Sequence, residues 1–332
     1  MGCAPLTTAV FSVTVPAEAL ASPITGARNG KNPELMLACR MPRAGIVTVV
    51  GKPNVGKSTL LNRIVGQKLS ITSEKPQSTR DRVVGIYTTA DAQMVILDTP
   101  GLLNPRYPLQ EAMRATALRA LQDADVIIYM ADATEGSPPD LTAAAELWSS
   151  PRAPIITALN KSDALPSPGR ETSIQGEDTI LISALTGDGV AHLMERVAQK
   201  LPESPFLYPD DEISTQPVRF FVAELVRETV LEQLHDEVPY SVAVQVEEFR
   251  EDRSPLYIRA VIYVERESQK AIVIGAKGAQ IRRLGEAARR KIETFVGAKT
   301  YLDLWVKVLA NWRKNPGSLS RFGYQPATGK TK

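Results

Sequence analysis

The chain has 332 residues, of which 43% are hydrophobic and 23% are charged, a composition typical of a globular protein with two domains of ordinary size. Its formal net charge is only +2, so binding to nucleic acid or to a membrane surface would require a local basic patch. No apolar stretch approaches the ~18 residues of a membrane-spanning helix. The two cysteines, Cys3 and Cys39, precede both predicted domains, which excludes a disulfide within either domain and suits a reducing compartment.

Residues 1–43 are rich in Ala, Thr, Ser and Pro, with Glu18 and Glu34 as their acidic residues. No basic residue precedes the mildly apolar part, so the segment is a poor fit to a secretory signal. We favour a disordered extension, or a reading frame whose real start is Met36 or Met41. An organelle transit peptide is the less favoured alternative.

The segment from Gly51 to Thr59 matches the phosphate-binding P-loop, G-x-x-x-x-G-K-[ST]. An apolar run at 46–50 predicts a strand before it, and apolar residues at helical spacing follow it as far as Gly66. We expect Lys57 to reach the β- and γ-phosphates and the Ser58 hydroxyl to bind Mg²⁺. The predicted phosphate-binding residues are Gly51, Lys52, Pro53, Asn54, Val55, Gly56, Lys57, Ser58, Thr59 and Gly101.

A polar loop at 71–81 has no apolar period and is predicted to be mobile. It precedes a predicted edge strand at 83–88 and a buried strand at 94–97, which ends in Asp98-Thr99-Pro100-Gly101. An acid at the end of such a strand is typical of a magnesium-binding Walker-B aspartate. We predict the Mg²⁺ ligands Ser58, Thr79 and Asp98. The Gly101 N–H is expected to meet a γ-phosphate, whose loss would release the loop. The predicted switch residues are Gln77, Ser78, Thr79, Arg80, Asp81, Asp98, Thr99, Pro100, Gly101 and Leu102.

The rest of this region alternates between predicted strands and helices. The strands are at 126–130, 155–159 and 179–182, and the helices are at 109–121, 141–148 and 190–201. This alternation predicts an α/β fold with a doubly wound, mostly parallel sheet, in which ligands bind at the carboxyl ends of the strands.

The sequence Asn160-Lys161-Ser162-Asp163 lies at such a carboxyl end. A carboxylate can accept two hydrogen bonds from the N1–H and N2–H₂ groups of guanine, a pair of donors that adenine lacks. Leaving a buried carboxylate unpaired makes the wrong base costly. Taken alone, Asn-x-x-Asp would be read as a helix N-cap, but its position favours base recognition. We expect the Lys161 stem to lie along the base and two backbone N–H groups to reach the guanine O6. The predicted guanine-binding residues are Asn160, Lys161, Asp163, Ser183 and Ala184.

The motifs GKPNVGKS, QSTRD, DTPG, NKSD and ISA resemble, in order and spacing, the five G-motifs of translation-factor-related GTPases. Position 102 is Leu, whereas Ras-like enzymes carry there a glutamine that orients water. The chain therefore resembles the hydrophobic-substituted GTPases, which implies slow intrinsic turnover. Asn54 resembles the asparagine that helps several relatives to hold K⁺, and our hypothesis is that K⁺ plays the part of an arginine finger.

After a linker rich in Pro and acidic residues, a helical pattern runs from Phe220 to Leu234. Two alternating runs, 241–246 and 257–264, predict an antiparallel pair with one wet face. A further strand is predicted at 300–308.

Between two predicted short helices lies Gly275-Ala276-Lys277-Gly278, the type of loop by which KH domains clamp single-stranded RNA. Residues 265–291 carry eight Lys or Arg against three Glu, a local charge of +5 that is typical of a nucleic-acid site, although a solvated helix face is the alternative. The order of elements is that of a type II KH fold. The predicted RNA-binding residues are Ile272, Ile274, Gly275, Ala276, Lys277, Gly278, Ile281, Arg282 and Arg283.

A GTPase domain followed by a KH domain resembles the Era family of bacterial ribosome-assembly GTPases, over about residues 44–325. The resemblance implies a GTPase that uses GTP/GDP and Mg²⁺ and binds small-subunit (16S) rRNA near its 3′ end in small ribosomal subunit assembly. It also implies a monomeric, cytoplasmic protein with peripheral association to the inner membrane. The predicted divisions are an extension at 1–43, an N-terminal domain at 44–203, a linker at 204–215, a C-terminal domain at 216–325 and a tail at 326–332.

Three alternatives are left open at this stage. The first is an RNA-binding protein whose nucleotide site is structural and does not hydrolyse GTP. The second is a sister-family GTPase of ribosome assembly or tRNA modification, although such proteins lack the KH domain or carry two GTPase domains. The third is an ATPase.

Overall fold

A computed structural model describes residues 41–166 and 178–325. Most of the predicted N-terminal extension and the whole predicted tail lie outside these residues. Within the described ranges, no helix has the length and the apolar character that a bilayer span needs.

The N-terminal domain is built on a six-stranded sheet in the order β2-β3-β1-β4-β5-β6. All neighbouring strands run parallel except β2, which is antiparallel to β3 at the edge. This confirms the predicted doubly wound, mostly parallel sheet. The strands are β1 (Arg43–Gly51), β2 (Val83–Thr88), β3 (Ala92–Asp98), β4 (Val126–Asp132), β5 (Ile155–Asn160) and β6 (Thr179–Leu181).

Among the described residues of this domain, four helices pack with the sheet: α1 (Lys57–Val65), α2 (Pro108–Asp123), α3 (Leu141–Ala144) and α4 (Val190–Lys200). Gly66 ends α1 in a left-handed conformation, as predicted. The prediction of a helix over 141–148 is wrong, because α3 spans only four residues and Glu146 takes a positive φ of 51°. The Trp148 ring is 99% exposed, so it gives the end of the predicted helix no packing that would support a longer helix.

The C-terminal domain has a three-stranded sheet in the order β7-β8-β9, with β7 antiparallel and β9 parallel to β8. Its strands are β7 (Ala243–Arg250), β8 (Leu256–Val264) and β9 (Thr300–Val308). Its helices are α5 (Val218–Gln233), α6 (Val238–Ser241), α7 (Glu267–Ile274), α8 (Ala279–Val296) and α9 (Pro316–Arg321). Two details differ from prediction. Ser241 ends a short helix instead of starting a strand, and α8 is a long helix of 18 residues.

The segment between the two domains contains no helix or strand, but it is held against the first sheet. The Gln93 side chain accepts hydrogen bonds from the backbone N–H groups of Leu207 (2.7 Å) and Tyr208 (2.9 Å). Farther along, the N–H of Ile86 donates to the carbonyl of Ile213 at 2.8 Å. The linker therefore lies along the sheet and limits how the C-terminal domain can sit.

One apolar cluster is shared by both domains. Leu109 and Met113 of α2 pack there with Tyr263 of β8 and with the fully buried Trp312. The Trp312 indole N–H donates to the carbonyl of Ser241 at 2.7 Å, so the ring is both packed and hydrogen-bonded. This cluster fixes the C-terminal domain against α2.

We predict that Trp312→Ala lowers the free energy of unfolding by about 3–5 kcal/mol, because it leaves a large cavity in the shared cluster. The urea midpoint of the full chain, followed by circular dichroism, measures this. Trp148→Ala is the matched control and should change stability by no more than about 0.5 kcal/mol, because Trp148 is exposed. Equal effects of the two substitutions would contradict the prediction.

Candidate functional site

A cavity of about 620 Å³ opens at the carboxyl end of the parallel sheet. Its walls are the P-loop and the start of α1, the loop from Ile71 to Thr79, the switch residue Gly101, and the two segments after β5 and β6. The position agrees with the rule that open α/β sheets bind ligands outside their carboxyl ends. The five motifs that the sequence separates by over 100 residues therefore meet around one space.

The P-loop has room only for glycine at two of its positions. A Cβ atom on Gly51 would lie 2.2 Å from the Met130 carbonyl oxygen, and one on Gly56 would lie 2.3 Å from the Asn160 amide nitrogen. Both residues also have positive φ angles. The loop is therefore held against its neighbours in a shape that turns its backbone toward the cavity.

Lys57 is buried at the start of α1, and its amine donates to the carbonyl oxygens of Gly51 (3.1 Å) and Lys52 (2.8 Å). Burial lowers the pKa of Lys57 to about 8, against the opposing effect of Asp98. A partly desolvated cation spanning the loop is suited to binding phosphate oxygens.

The three predicted Mg²⁺ ligands lie together. The Ser58 hydroxyl donates to Asp98 Oδ2 at 2.7 Å, and the Thr79 hydroxyl lies 2.9 Å from the Ser58 oxygen. Ser70, which the sequence analysis did not identify, donates to the same Asp98 oxygen at 2.9 Å. Nothing in the local sequence around Ser70 distinguishes it from other loop serines.

The surroundings of Asp98 fit a metal ion. Its side chain is fully buried, burial raises its pKa in spite of Lys57, and its Oδ1 atom has no hydrogen-bond partner in the part of the chain that the structure describes. A buried carboxylate oxygen without a donor is costly unless a cation binds it. Within the described ranges no group of three or more His, Cys, Asp or Glu could hold a metal. The oxygens present therefore suit Mg²⁺, which takes few protein carboxylates and completes its shell with phosphate and water.

At the other end of the cavity, Asn160 joins two loops. Its amide nitrogen donates to the Val55 carbonyl at 2.7 Å, and its amide oxygen accepts from the Ala184 N–H at 2.8 Å. The Ser183 N–H donates to the Asp188 carbonyl at 2.9 Å. The expectation that the N–H groups of Ser183 and Ala184 reach the guanine O6 does not hold in this conformation, because both are already bonded within the protein.

Asp163 and Lys161, both predicted to bind the base, line the cavity. The exposed Asp163 carboxylate accepts a hydrogen bond of 2.6 Å from the buried Ser183 hydroxyl, which fixes its orientation at the cavity wall. Lys161 has a left-handed backbone with φ of 70°, and its amine pairs with Asp132 at 2.6 Å. That ion pair holds the lysine stem in place beside the cavity.

The second predicted switch segment lies directly against the P-loop. A Cβ atom on Gly101 would be 2.7 Å from the Pro53 nitrogen, and the Leu102 N–H donates to the Gly51 carbonyl at 3.0 Å. Thr99 and Pro100 are buried, and the Thr99 hydroxyl donates to the Val49 carbonyl. The Leu102 side chain packs in an apolar cluster beneath the sheet, so it faces away from the cavity.

The first predicted switch segment contacts the C-terminal domain, which the sequence did not reveal. Arg80 is buried, and its guanidinium donates to the carbonyls of Val242 (2.5 Å) and Tyr240 (3.0 Å). Arg227 of α5 donates to the Ser78 carbonyl, and Asp81 accepts from its neighbouring backbone N–H. Burial and the nearby Arg227 lower the pKa of Arg80.

In the C-terminal domain, the GxxG loop projects into solvent. Gly275, Lys277 and Gly278 all have positive φ angles, and Ala276 and Lys277 are exposed. A Cβ atom on Gly275 would lie 2.6 Å from the Gln280 side chain, whereas around Gly278 there is open space. A backbone such as that of RNA can therefore approach Gly278 closely.

Beside this loop is a groove of about 510 Å³. Among the apolar residues predicted to line the RNA groove, only Ile272 does so, and it is 51% exposed. Ile274 and Ile281 pack against the core of the domain. Arg283 lies on the groove wall, opposite a turn that carries Asp236 and Glu237.

The basic patch divides into two faces along α8. Its exposed arginines have no carboxylate partner within the described ranges: Arg282, Arg283, Arg289 and Arg290. Lys291 instead faces α5, where it pairs with Glu228 at 2.8 Å and Glu232 at 2.7 Å. The free cations thus share the side of the helix that begins at the GxxG loop.

A P-loop with a hydroxyl-and-carboxylate metal site and an Asn-Lys-x-Asp base site, joined to a GxxG domain, defines a P-loop GTPase with a KH domain. The chain belongs to the Era family of GTPases, as comparison with known proteins shows. A family model described as a 50S ribosome-binding GTPase matches residues 46–161, and a KH-domain model matches residues 237–313. These matches confirm the predicted resemblance and argue against an ATPase or a non-hydrolysing nucleotide site.

The alignments with individual relatives extend over nearly the whole length of each relative. The chain is 41% identical to the GTPase Era of Carboxydothermus hydrogenoformans and 43% identical to that of Geotalea uraniireducens, each over 85% of this chain and 98% of the relative. A variant of Aquifex aeolicus Era bound to GDP and AlF4⁻ is 38% identical, with a TM-score of 0.79, over 85% of this chain and 99% of that one. Era in complex with MgGDPNP and nucleotides 1506–1542 of 16S ribosomal RNA is 38% identical, with a TM-score of 0.81, over 86% and 99%.

We predict that Asn160→Ala weakens the binding of guanine and xanthine nucleotides alike, by about tenfold or more, because it leaves two buried backbone groups without partners. Fluorescence titration with labelled GDP and XDP measures this. Asp163→Asn is the control, and it should shift preference toward xanthine nucleotides. A change of base preference in Asn160→Ala would contradict the structural role given to Asn160.

Proposed function

We propose that this GTPase binds small-subunit (16S) rRNA near its 3′ end during small-subunit assembly, and that its GTP or GDP state controls the binding. The relative crystallised with MgGDPNP and a 16S fragment matches this chain through both domains, which supports the choice of RNA. The described residues add the two features that such an activity requires: a basic GxxG surface, and a contact between that domain and the nucleotide switch.

The RNA surface is the GxxG loop, the neighbouring groove and the free arginine face of α8. Gly278 lets a sugar-phosphate backbone approach, and Lys277 and the α8 arginines supply positive charge. Single-stranded bases would enter the groove beside Ile272. The affinity is therefore expected to fall with salt, as it does for any complex held by phosphate contacts.

The proposal that the nucleotide state controls RNA binding rests on the position of Arg80. It follows Thr79, whose hydroxyl lies at the proposed metal site, yet its own side chain is buried against α6 and Val242 of the C-terminal domain. The guanidinium also lies 5.9 Å from the Trp312 ring centre. Any movement of this loop on loss of the γ-phosphate would pull on the C-terminal domain.

The nucleotide itself is assigned to the cavity as follows. Its phosphates lie in the P-loop with Lys57, its guanine lies between Lys161 and Asp163, and Mg²⁺ binds Ser58, Thr79 and Asp98. When bound there, the metal would neutralise the buried carboxylate and draw charge from the β- and γ-phosphates. Asn160 contributes by joining the P-loop to the base-binding loops.

A monovalent ion is a further part of the proposal. The Asn54 amide donates to the Glu74 carbonyl at 2.7 Å, so the P-loop asparagine lies against the loop whose carbonyls could share a K⁺ ion with the phosphates. We expect Asn54→Ala to remove any difference between the GTPase rates in KCl and NaCl. Wild-type protein with equal rates in both salts would contradict the site.

Two properties are proposed from the family resemblance alone. They are a monomeric state, and a cytoplasmic location with peripheral association to the inner face of the cell membrane. Flotation with vesicles and light scattering would test them.

We predict that Arg80→Ala reduces the difference in RNA affinity between the GTP-analogue and GDP states by about tenfold, because it removes the bonds that join the switch loop to the C-terminal domain. Filter binding of a 16S 3′-end fragment to the full chain, in each nucleotide state, measures this.

Gly278→Asp is the control for that experiment. It places a carboxylate against the RNA backbone, so it should weaken RNA binding in both states while it leaves GTP hydrolysis without RNA unchanged. An Arg80→Ala protein that keeps the wild-type ratio between the two states would contradict the proposed control.

A further inference from the structure

A GTPase must orient the attacking water, and the position that does so in Ras-like enzymes is not available here. In those enzymes a glutamine after the second switch glycine orients water, whereas this chain has Leu102. The Leu102 side chain packs with Leu121 and Tyr129 beneath the sheet. Another group that lines the cavity must therefore contact the attacking water.

The side chains that line the cavity limit which group can contact the attacking water. Two of the amide side chains that line the cavity already have structural roles, since Asn54 bonds to the Glu74 carbonyl and Asn160 joins two loops. Among the described residues that line the cavity, the remaining side-chain amide is that of Gln77. It lies two residues before Thr79, so their Cα atoms are no more than about 7 Å apart, close to the metal-binding hydroxyl.

Gln77 is held in place in two ways. Its backbone adopts a left-handed conformation with φ of 63°, which is uncommon for a residue other than glycine and recurs at functional sites. Its amide oxygen accepts a hydrogen bond of 3.1 Å from the Tyr107 hydroxyl. Tyr107 is itself fixed, because its ring lies 5.4 Å from the Arg313 guanidinium.

We propose that Gln77 is a catalytic residue that contacts the attacking water, and that Tyr107 is its positioning residue. The second lone pair of the amide oxygen accepts one water O–H, and the amide nitrogen donates to a γ-phosphate oxygen. The water oxygen bonds to the γ-phosphorus as the bond to the β–γ bridging oxygen breaks. The electron pair stays on GDP, and the water proton passes to the released phosphate. The amide itself gains and loses no proton.

The test is single-turnover GTP hydrolysis by the full chain, with Mg²⁺ and K⁺, alongside titration with labelled GDP to show that each variant is folded. We expect Gln77→Ala to lower the hydrolysis rate about a hundredfold, with GDP affinity within about twofold of wild type. Tyr107→Phe, which removes only the hydroxyl, should lower the rate by about five- to tenfold. Gln199→Ala on the exposed side of α4 is the matched control and should behave as wild type.

A double-mutant cycle separates positioning from a merely structural role. If Tyr107 acts through Gln77, the double variant Gln77→Ala with Tyr107→Phe is no slower than Gln77→Ala alone. Additive losses would overturn the role of Tyr107. A wild-type rate in Gln77→Ala would overturn the proposal as a whole.

Discussion

The buried carboxylate of Asp98 is the constraint on which the nucleotide site depends. It ends a central strand inside the protein, where an unpaired charge is costly, so it gathers hydroxyl donors from three segments. Ser58 belongs to the first turn of α1, Ser70 belongs to the loop after α1, and Thr79 belongs to the switch loop. One oxygen of Asp98 still lacks a donor. The protein alone does not satisfy this group, which is why a cation completes the site.

One short segment of the switch loop connects the site around Asp98 to the C-terminal domain and to the cavity wall. Thr79 lies at the proposed metal site, Arg80 is buried against the C-terminal domain, and Gln77 lies on the cavity wall. Three proposed roles, namely metal binding, domain coupling and water orientation, would thus belong to the four residues 77–80. A loop with so many external partners is held by its contacts, since its own sequence forms no helix or strand.

The nucleotide domain was predictable in detail because its motifs encode local geometry. The P-loop glycines, the aspartate that ends β3 and the Asn-x-x-Asp that begins at the last residue of β5 each lie at the end of an apolar strand, and parallel strands end on one side of the sheet. Predictions from the local sequence pattern were wrong where tertiary packing determines the structure. Residues 145–148 favour a helix, but α3 ends at Ala144 and the Trp148 ring is left exposed instead of being packed. The N–H groups of Ser183 and Ala184, which looked free in the sequence, form bonds within the protein.

The amino-acid sequence by itself determined the class of both domains and the family, and it predicted candidate phosphate, metal and base ligands. Those features depend on residue type, spacing and alternating polarity, which are properties of the chain itself. Only the tertiary structure decided which residues join distant segments. The burial of Arg80 beside Trp312, the donation of Ser70 to Asp98 and the contact between Tyr107 and Gln77 link positions about 30 to over 200 residues apart. No periodicity records such contacts, because Arg80 reaches Trp312 only when the two domains pack against each other, and the other two contacts form only when segments of the N-terminal domain come together.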